Sequence, residues 1–274
     1  MTRQVGRALS HESAHAHVTG AAKYTDDLWP SFANVAHAWP VCAPHAHARL
    51  LALDASRALA LPGVLTLLHA ADVTGENDVG PARHDEPLFP SEVCFHGQAV
   101  AFILAETEEQ ARLAAAEVRL ECEPLPAITS IAAALAAESF HTEPDKLRRG
   151  EPERMLAAAP RRLHGELQLG AQEHFYLETQ AALACVDESG GLFIQSSTQH
   201  PTETQEIGAR ELGEAKQEPG VQCRRIGGRA RGKAPQATVA TAERAEKKLT
   251  TVAAIVGSMP RSIRNDAWCR LTPA

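Results

Sequence analysis

Apolar positions along the chain fall into short blocks separated by turn formers, and the order of the blocks predicts the first half of the fold. From Val35 to about Phe140, strand-like and helix-like blocks alternate. Leu50-Leu51-Ala52-Leu53 predicts a short strand. Asp54 offers a cap for a helix over Ala55–Leu61, and Pro62-Gly63 stops it. Val64–Leu68 predicts a second strand, and residues 72–91, rich in turn formers and charges, a loop. Gln98–Leu104 has no polar alternation, which predicts a strand buried on both faces. Thr107 and Gln110 have the spacing of a capping box ahead of a helix over Ala111–Val118. Val118–Glu123 returns as a strand ended by Pro124-Leu125-Pro126, and Thr129 or Ser130 caps an Ala-rich helix over Ile131–Glu138. Two strand-helix-strand units in succession predict mixed α/β layers over roughly the first 130 residues.

Residues 141–162 hold Pro144, Gly150, Pro152 and Pro160 and predict a connection carrying one short helix, Glu153–Ala159. Leu163, Gly165, Leu167 and Leu169 then alternate with polar neighbours, which predicts the start of a β-rich stretch. Ala181–Val186 and Leu192–Ser196 flank Asp187-Glu188-Ser189-Gly190-Gly191, a hairpin. After Gly208 the periodicity weakens, and no internal repeat is present.

Composition narrows the class. At 274 residues, 44% hydrophobic and 22% charged, with a formal net charge of -7, the chain is a folded one rather than a disordered one. The longest apolar run, Ala99–Ala105, is far short of the roughly 20 residues that span a bilayer. The first 17 residues lack the apolar core of a secretion signal. Cys42, Cys94, Cys122, Cys185, Cys223 and Cys269 show no CxxC spacing, so neither a zinc site nor a disulfide framework is indicated, and a reduced, cytoplasmic setting follows. Charge is uneven: residues 1–207 carry a net -14 and residues 208–274 a net +7. Such a split marks either a basic tail for an acidic partner or a tail outside the folding plan of the rest.

Four patterns suggest chemistry. His11, His15 and His17, and His45-Ala46-His47, have spacings a metal could use, but no third ligand is near and exposed histidine close to a terminus is the blander reading. Gly227-Gly228-Arg229-Ala230-Arg231-Gly232-Lys233 matches GxxxxGK, a phosphate-cradling loop, yet Ala234 stands where Ser or Thr would hold Mg²⁺. Arg224, Arg225, Arg229, Arg231 and Lys233 could attract polyanions, though only Trp268 is available for base stacking, so no specific nucleic acid is expected. Gly170-Ala171-Gln172-Glu173-His174-Phe175-Tyr176-Leu177-Glu178 brings an amide, carboxylates and an imidazole beside aromatics, a mix that ordinary cross-strand pairs also produce.

The sequence resembles the molybdenum-binding subunit of the xanthine dehydrogenase and aldehyde oxidase family. The resemblance runs through Val5-Gly6-Arg7, AHAHVTGAAKYTDD (14–27), PHAHARLLALD (44–54), PGV (62–64), GENDVGPARHDEPL (75–88), HGQAVAFILAE (96–106), ECEPLPAI (121–128), GAQEHFYLET (170–179) and SSTQHPTETQ (196–205). It implies an α+β fold: an α/β hammerhead domain over 1–135, a linker over 136–162, the incomplete start of a first, β-rich molybdopterin-binding domain over 163–213, and a divergent basic tail, open to disorder, over 214–274. It also implies a molybdenum hydroxylase that oxidises hypoxanthine and xanthine to urate with water as oxygen source. Electrons would pass through Fe-S clusters and FAD, on a partner subunit or chain, to NAD. No membrane partner is implied.

By this resemblance Gln172 is the glutamine beside the molybdenum, where a neutral amide donor suits a metal oxygen. The family's glycine-rich loop, M-G-G-G-F-G-G-K-E, falls on Ile226–Ala234, where Gly227, Gly228, Gly232 and Lys233 match and the three glycines would let backbone approach the cofactor. Arg229, Ala230, Arg231 and Ala234 do not match, and Ala234 replaces the purine-binding glutamate. The family's base and its remaining pterin contacts lie downstream of Ala274. Charge reversal, fading periodicity and the altered loop together predict an amino-terminal piece with a frame-shifted tail, inactive by itself and binding molybdopterin weakly or not at all. The alternative is a non-catalytic interaction module that docks on the Fe-S/FAD subunit.

Overall fold

The computed structural model describes residues 6–80, 86–140, 146–170, 178, 180–188, 190–225 and 251–256. Strands β1 (Ala36–Cys42), β2 (Ala48–Asp54), β3 (Val64–Leu68), β4 (Glu92–Val93), β5 (Ala99–Ala105), β6 (Arg119–Pro124), β7 (Gln180–Val186), β8 (Leu192–Ser196), β9 (Gly220–Gln222) and β10 (Thr251–Val256) form two sheets. One has seven strands in the order β3-β5-β1-β10-β7-β8-β9, and the other three, β4-β2-β6. Pairing is antiparallel except between β1 and β10 and between β8 and β9. Helices α1 (Ala14–Val18), α2 (Ser56–Leu59), α3 (Glu108–Glu117), α4 (Ile131–Ala136), α5 (Pro152–Ala158) and α6 (Pro201–Leu212) complete an α+β architecture.

The core is organised by β5, whose unbroken apolar run is buried from Val100 to Ala105. Because side chains alternate along a strand, Phe102 and Leu104 face one cluster with Ala36, Ala38, Leu68, Phe89 and Ile207. Ala101, Ile103 and Ala105 face another, with Val93 and with Ala111 and Ala114 of α3. Each large side chain so buried contributes roughly 1.5–3 kcal/mol. Helix α3 starts where the capping pattern places it: the Thr107 Oγ1 accepts from the Gln110 backbone N–H at 3.2 Å. The reciprocal half differs, because that hydroxyl also donates to Gln110 Oε1 at 3.0 Å. The β7–β8 hairpin closes as its turn residues predict, with Asp187 Oδ1 accepting from Gly191 N at 2.9 Å and Gly190 at φ +84°.

Three elements depart from the sequence pattern. Residues 163–169 form no strand, and Leu163, Leu167 and Leu169 are exposed; alternation alone gives no ladder unless a neighbouring strand accepts the backbone hydrogen bonds. Residues 201–212, to which the sequence pattern assigned no element, form the longest helix among the described residues. Pro201 sits in its first turn, Thr204, Ile207, Gly208, Glu211 and Leu212 make its buried stripe, and Gly213 ends it at φ +71°. Finally, the stretch expected to be a tail supplies β9 and β10, and β10 lies at the middle of the large sheet, parallel to β1 and antiparallel to β7. Thr251-Val252-Ala253-Ala254-Ile255-Val256 is rich in β-branched residues, which suit a pleated surface.

Candidate functional site

Two described residues that adjoin the segments important to the sequence argument rest on one stretch of backbone. Glu178 stands just ahead of β7, and Arg225 shortly follows β9. The buried Glu178 accepts from the Thr25 backbone N–H through Oε1 at 3.1 Å. Arg225 donates from Nε to the Lys23 carbonyl at 2.9 Å. Both roots therefore rest on the Lys23–Thr25 backbone. That backbone is itself fixed: the Tyr24 N–H donates to Asp27 Oδ2 at 2.8 Å, Thr25–Asp27 is a 3-10 turn, and the following Leu28 is buried with Leu183 of β7.

Beside these roots lies a buried polar shelf at the end of β8, made by Gln195, Ser196, Ser197 and Thr198. Arg224 Nε donates to Gln195 Oε1 at 2.9 Å, Ser197 Oγ accepts from the Ala181 N–H at 2.9 Å, and Thr198 Oγ1 accepts from the Thr204 hydroxyl at 3.0 Å. Buried polar groups persist where they are paired, and these pairs tie β7, β8, α6 and the segment after β9 together.

The other end of α6 is clasped by residues 74–80. The Gly75 N–H donates to the Glu211 carbonyl at 2.6 Å and the Glu76 N–H to the Arg210 carbonyl at 3.1 Å. Thr74 Oγ1 donates to the Leu212 carbonyl at 3.1 Å. Arg210 reaches back to the carbonyl of Asp78 at 2.6 Å and to its carboxylate at 3.4 Å. The helix's last carbonyls, which have no partner within the helix, are thus satisfied from a distant loop. An open, polar cleft of about 610 Å³ lies where Gly80 meets Gln199, His200, Glu203, Glu206 and Arg210.

Gln172, Gly227, Gly228, Gly232, Lys233 and Ala234 lie outside the described residues, as do Arg229 and Arg231. Of the basic residues considered for polyanions, Arg224, itself exposed, donates to Gln195, and Arg225 donates to the Lys23 carbonyl. Of the histidines, His47 bridges the Pro126 carbonyl at 2.7 Å and Glu92 at 2.9 Å, while His15 and His17 sit on α1. No group of three or more metal-binding side chains occurs among the described residues. No described helix is long and apolar enough to cross a membrane. Sequence reasoning missed the Asp78–Arg210 clasp and the neighbourhood of Asp26 and His37. Burial, with Glu108, Asp27 and Glu178 nearby, holds the Asp26 carboxyl above its usual range. Burial holds the His37 imidazole below its usual range against the opposing pull of Asp26.

Comparison with known families resolves the two halves. Residues 19–126 match "Aldehyde oxidase and xanthine dehydrogenase, a/b hammerhead domain", and residues 136–253 match "Molybdopterin cofactor-binding domain". The chain belongs to the xanthine dehydrogenase and aldehyde oxidase family. It is 39% identical over 232 residues to a xanthine dehydrogenase of Dictyostelium discoideum, covering 84% of this chain and 17% of that protein. It is 36% identical over 273 residues to one of Emericella nidulans, covering 98% and 19%. The chain thus spans under a fifth of the length of these relatives. The aldehyde oxidoreductase of Desulfovibrio gigas superposes with a TM-score of 0.76 at 25% identity, over 89% of this chain and 29% of that one. The aldehyde oxidoreductase of Desulfovibrio desulfuricans superposes with a TM-score of 0.81 at 22% identity, over 92% and 30%, which speaks for the fold alone. The second family match also ends at residue 253, within β10, so family likeness extends into the stretch whose charge is reversed.

Proposed function

We propose that this chain contributes two walls of a molybdopterin site in a molybdenum-dependent oxidoreductase acting on hypoxanthine or xanthine. The observation that carries the reading is the shared footing of Glu178 and Arg225 on the Lys23–Thr25 backbone. The segment holding Gln172 and the segment holding Gly227, Gly228 and Gly232 are rooted there, from opposite ends of the β7–β8–β9 unit. A buried polar shelf, its groups paired within the fold, lies beside the roots and supports a polar rather than an apolar neighbour there. When bound, the molybdenum centre supplies the two-electron chemistry. The chain's part is to position: Gln172 offers an amide donor, and the glycines let backbone approach closely. Ala234 leaves the loop without a carboxylate for the purine, and Arg229 and Arg231 add bulk to it, which supports weak retention by this chain alone. Electrons would leave through Fe-S and FAD groups on a partner subunit or chain.

The reading is tested by producing the full chain in a host that makes molybdopterin, then measuring molybdenum per chain and the fluorescence of released, oxidised pterin. Pterin is expected at less than one per chain, falling further in Glu178→Ala, which unhooks one root from Thr25. A pterin content equal to that of an unrelated protein from the same host would refute it. A second reading, an interaction module for the Fe-S/FAD subunit, is favoured by Leu147, Leu163, Leu167 and Leu169, which stand exposed along the connection and beyond it. Co-purification with that subunit in the absence of molybdenum would support this reading over the first.

A further inference from the structure

His47 stands at the start of β2, the central strand of the three-stranded sheet, and its ring spans both neighbours of that strand. Nδ1 lies 2.7 Å from the carbonyl oxygen of Pro126, just beyond β6, and Nε2 lies 2.9 Å from Glu92 Oε1 on β4. A backbone carbonyl and an ionised carboxylate only accept hydrogen bonds. A neutral imidazole has one N–H and can donate to one of the two, whereas the imidazolium donates to both. The two ends are held unequally. The Leu125 N–H also donates to the His47 carbonyl at 3.0 Å, which fixes the Pro126 side through backbone. Strand β4 is two residues long, with Val93 opposite Ala48 and Glu92 opposite Arg49, and the Glu92 side chain is 52% exposed against 30% for His47. The other titratable and charged groups around this sheet, among the described residues, are Arg49 and Asp54 of β2, Arg119, Glu121, Cys122 and Glu123 of β6, His45 just upstream and Cys94 just after β4. Arg49 is ion-paired with Glu123 at 2.8 Å.

We infer that His47 is a proton-operated latch on β4: doubly protonated, it holds Glu92 against the start of β2, and on losing the Nε2 proton to solvent it releases Glu92 while keeping Pro126. A deprotonated Nε2 faces the carboxylate lone pair to lone pair. Glu92, half in water, can turn away, whereas the Pro126 carbonyl cannot turn without disturbing the adjacent Leu125 bond to His47. The sign follows: the latch is closed at low pH and opens as pH rises through the range, about 5 to 8, in which imidazoles change charge. What the latch governs is a wall. Glu92 lines an apolar cleft of about 530 Å³ with Leu50, Leu53, Phe89 and Cys94, so its release alters one side of that cleft. His47, Glu92 and Pro126 all lie within residues 19–126, outside the molybdopterin-binding match, so the latch stands or falls separately from the proposed function.

The test uses the full chain, isotopically labelled, with the His47 ring followed by NMR from about pH 5 to 8. Below the midpoint both ring nitrogens should carry a proton, and a nuclear Overhauser contact should join the ring to the Glu92 side chain. Above it the remaining proton should sit on Nδ1, which the ring nitrogen shifts identify, and the contact should be lost. In Glu92→Gln the side-chain amide can donate to a neutral Nε2, so the contact should persist through the titration. The ring midpoint in that variant should fall by roughly half a pH unit, the size set by loss of a half-exposed ion pair. A neutral ring with its proton on Nε2 would overturn the inference, as would a His47–Glu92 contact that is unchanged through the native titration or a midpoint unmoved in the variant. Should Glu92→Gln fail to fold, the proton position and the contact in the native chain decide.

Discussion

Replacing Gly75 by Ala tests whether the loop at 74–80 truly clasps α6. A Cβ at this position would lie 2.1 Å from the Arg210 carbonyl oxygen, 2.6 Å from that of Glu211 and 2.6 Å from the Gly213 nitrogen. All three are backbone atoms of a helix end, so no side-chain rotation relieves the clash, and loop and helix must part. Parting breaks the Gly75 and Glu76 N–H bonds to α6, each worth about 0.5–1.5 kcal/mol net. It also loosens the hold of Arg210 on Asp78, a largely buried charge-assisted contact worth about 1.5–3 kcal/mol. The expected loss is about 3 kcal/mol or more, read from denaturant unfolding followed by tryptophan fluorescence. Gly208→Ala serves as the control: it lies inside α6, and its Cβ would meet only Ile194 Cδ1 at 3.8 Å, an ordinary contact. Alanine favours a helix interior over glycine by about 1 kcal/mol, so this change should be neutral or stabilising. If the two variants shift stability alike, or if Gly75→Ala costs under about 0.5 kcal/mol on the scale of single surface changes, the clasp is not a real constraint.

Thr107→Ala removes the acceptor for the Gln110 N–H and should cost about 1 kcal/mol, with Thr107→Ser recovering most of it by thermal unfolding; a silent Thr107→Ala would contradict the cap. Leu104→Ala empties a fully buried position between Ala38, Phe102 and Ile207 and should cost about 2–5 kcal/mol; a cost near zero would mean that β5 is not covered on that face. Burial pushes the Cys42 thiol up to about 11, so at pH 8 it holds about a hundredfold less thiolate than at its ordinary value. Alkylation mapped by mass spectrometry should label exposed Cys94 well before Cys42, and equal rates would argue against the packing of β1. Because the folded Asp26 is raised above its ordinary 3.8, its contribution to stability is full below that value and is lost as pH rises through the folded one. Asp26→Asn removes that loss, so the variant should gain on the native chain between pH 4 and 7, and a difference that does not change with pH would sink the argument.

What could be read in advance was local. An unbroken apolar run, a threonine three residues ahead of a glutamine, and Asp-Glu-Ser-Gly-Gly between apolar blocks each state their structure within a few residues, and β5, α3 and the β7–β8 turn follow them. The alternating leucines at 163–169 carried the same local signal and formed no strand, because a strand is completed by a neighbour drawn from anywhere in the chain. In α6 the buried stripe was spelled in Thr204, Gly208 and Glu211 as much as in Ile207 and Leu212, so an apolar count missed it. For the candidate site, Gln172 and the glycine loop were nameable only through family resemblance, whereas the contacts that root them could not be named at all. Thr25 and Glu178 are 153 residues apart, Lys23 and Arg225 are 202 apart, and Asp78 and Arg210 are 132 apart.

The same distinction decides how the basic stretch after residue 207 is to be understood. Its charge reversal is a property of composition, and composition reports on solubility and partners rather than on fold. Its pairing is a property of position: β10 joins β1 of the first domain to β7 of the second, so the seven-stranded sheet is continuous only through residues 251–256. On the proposed function, Arg229, Arg231 and Ala234 bear on what the loop would hold, while Thr251–Val256 bears on whether the two domains share one sheet. Changes in the loop should act on pterin content, and changes in β10 should act on unfolding. A substitution in either segment that moved both readouts together would show that loop and strand are coupled more tightly than the sheet order requires.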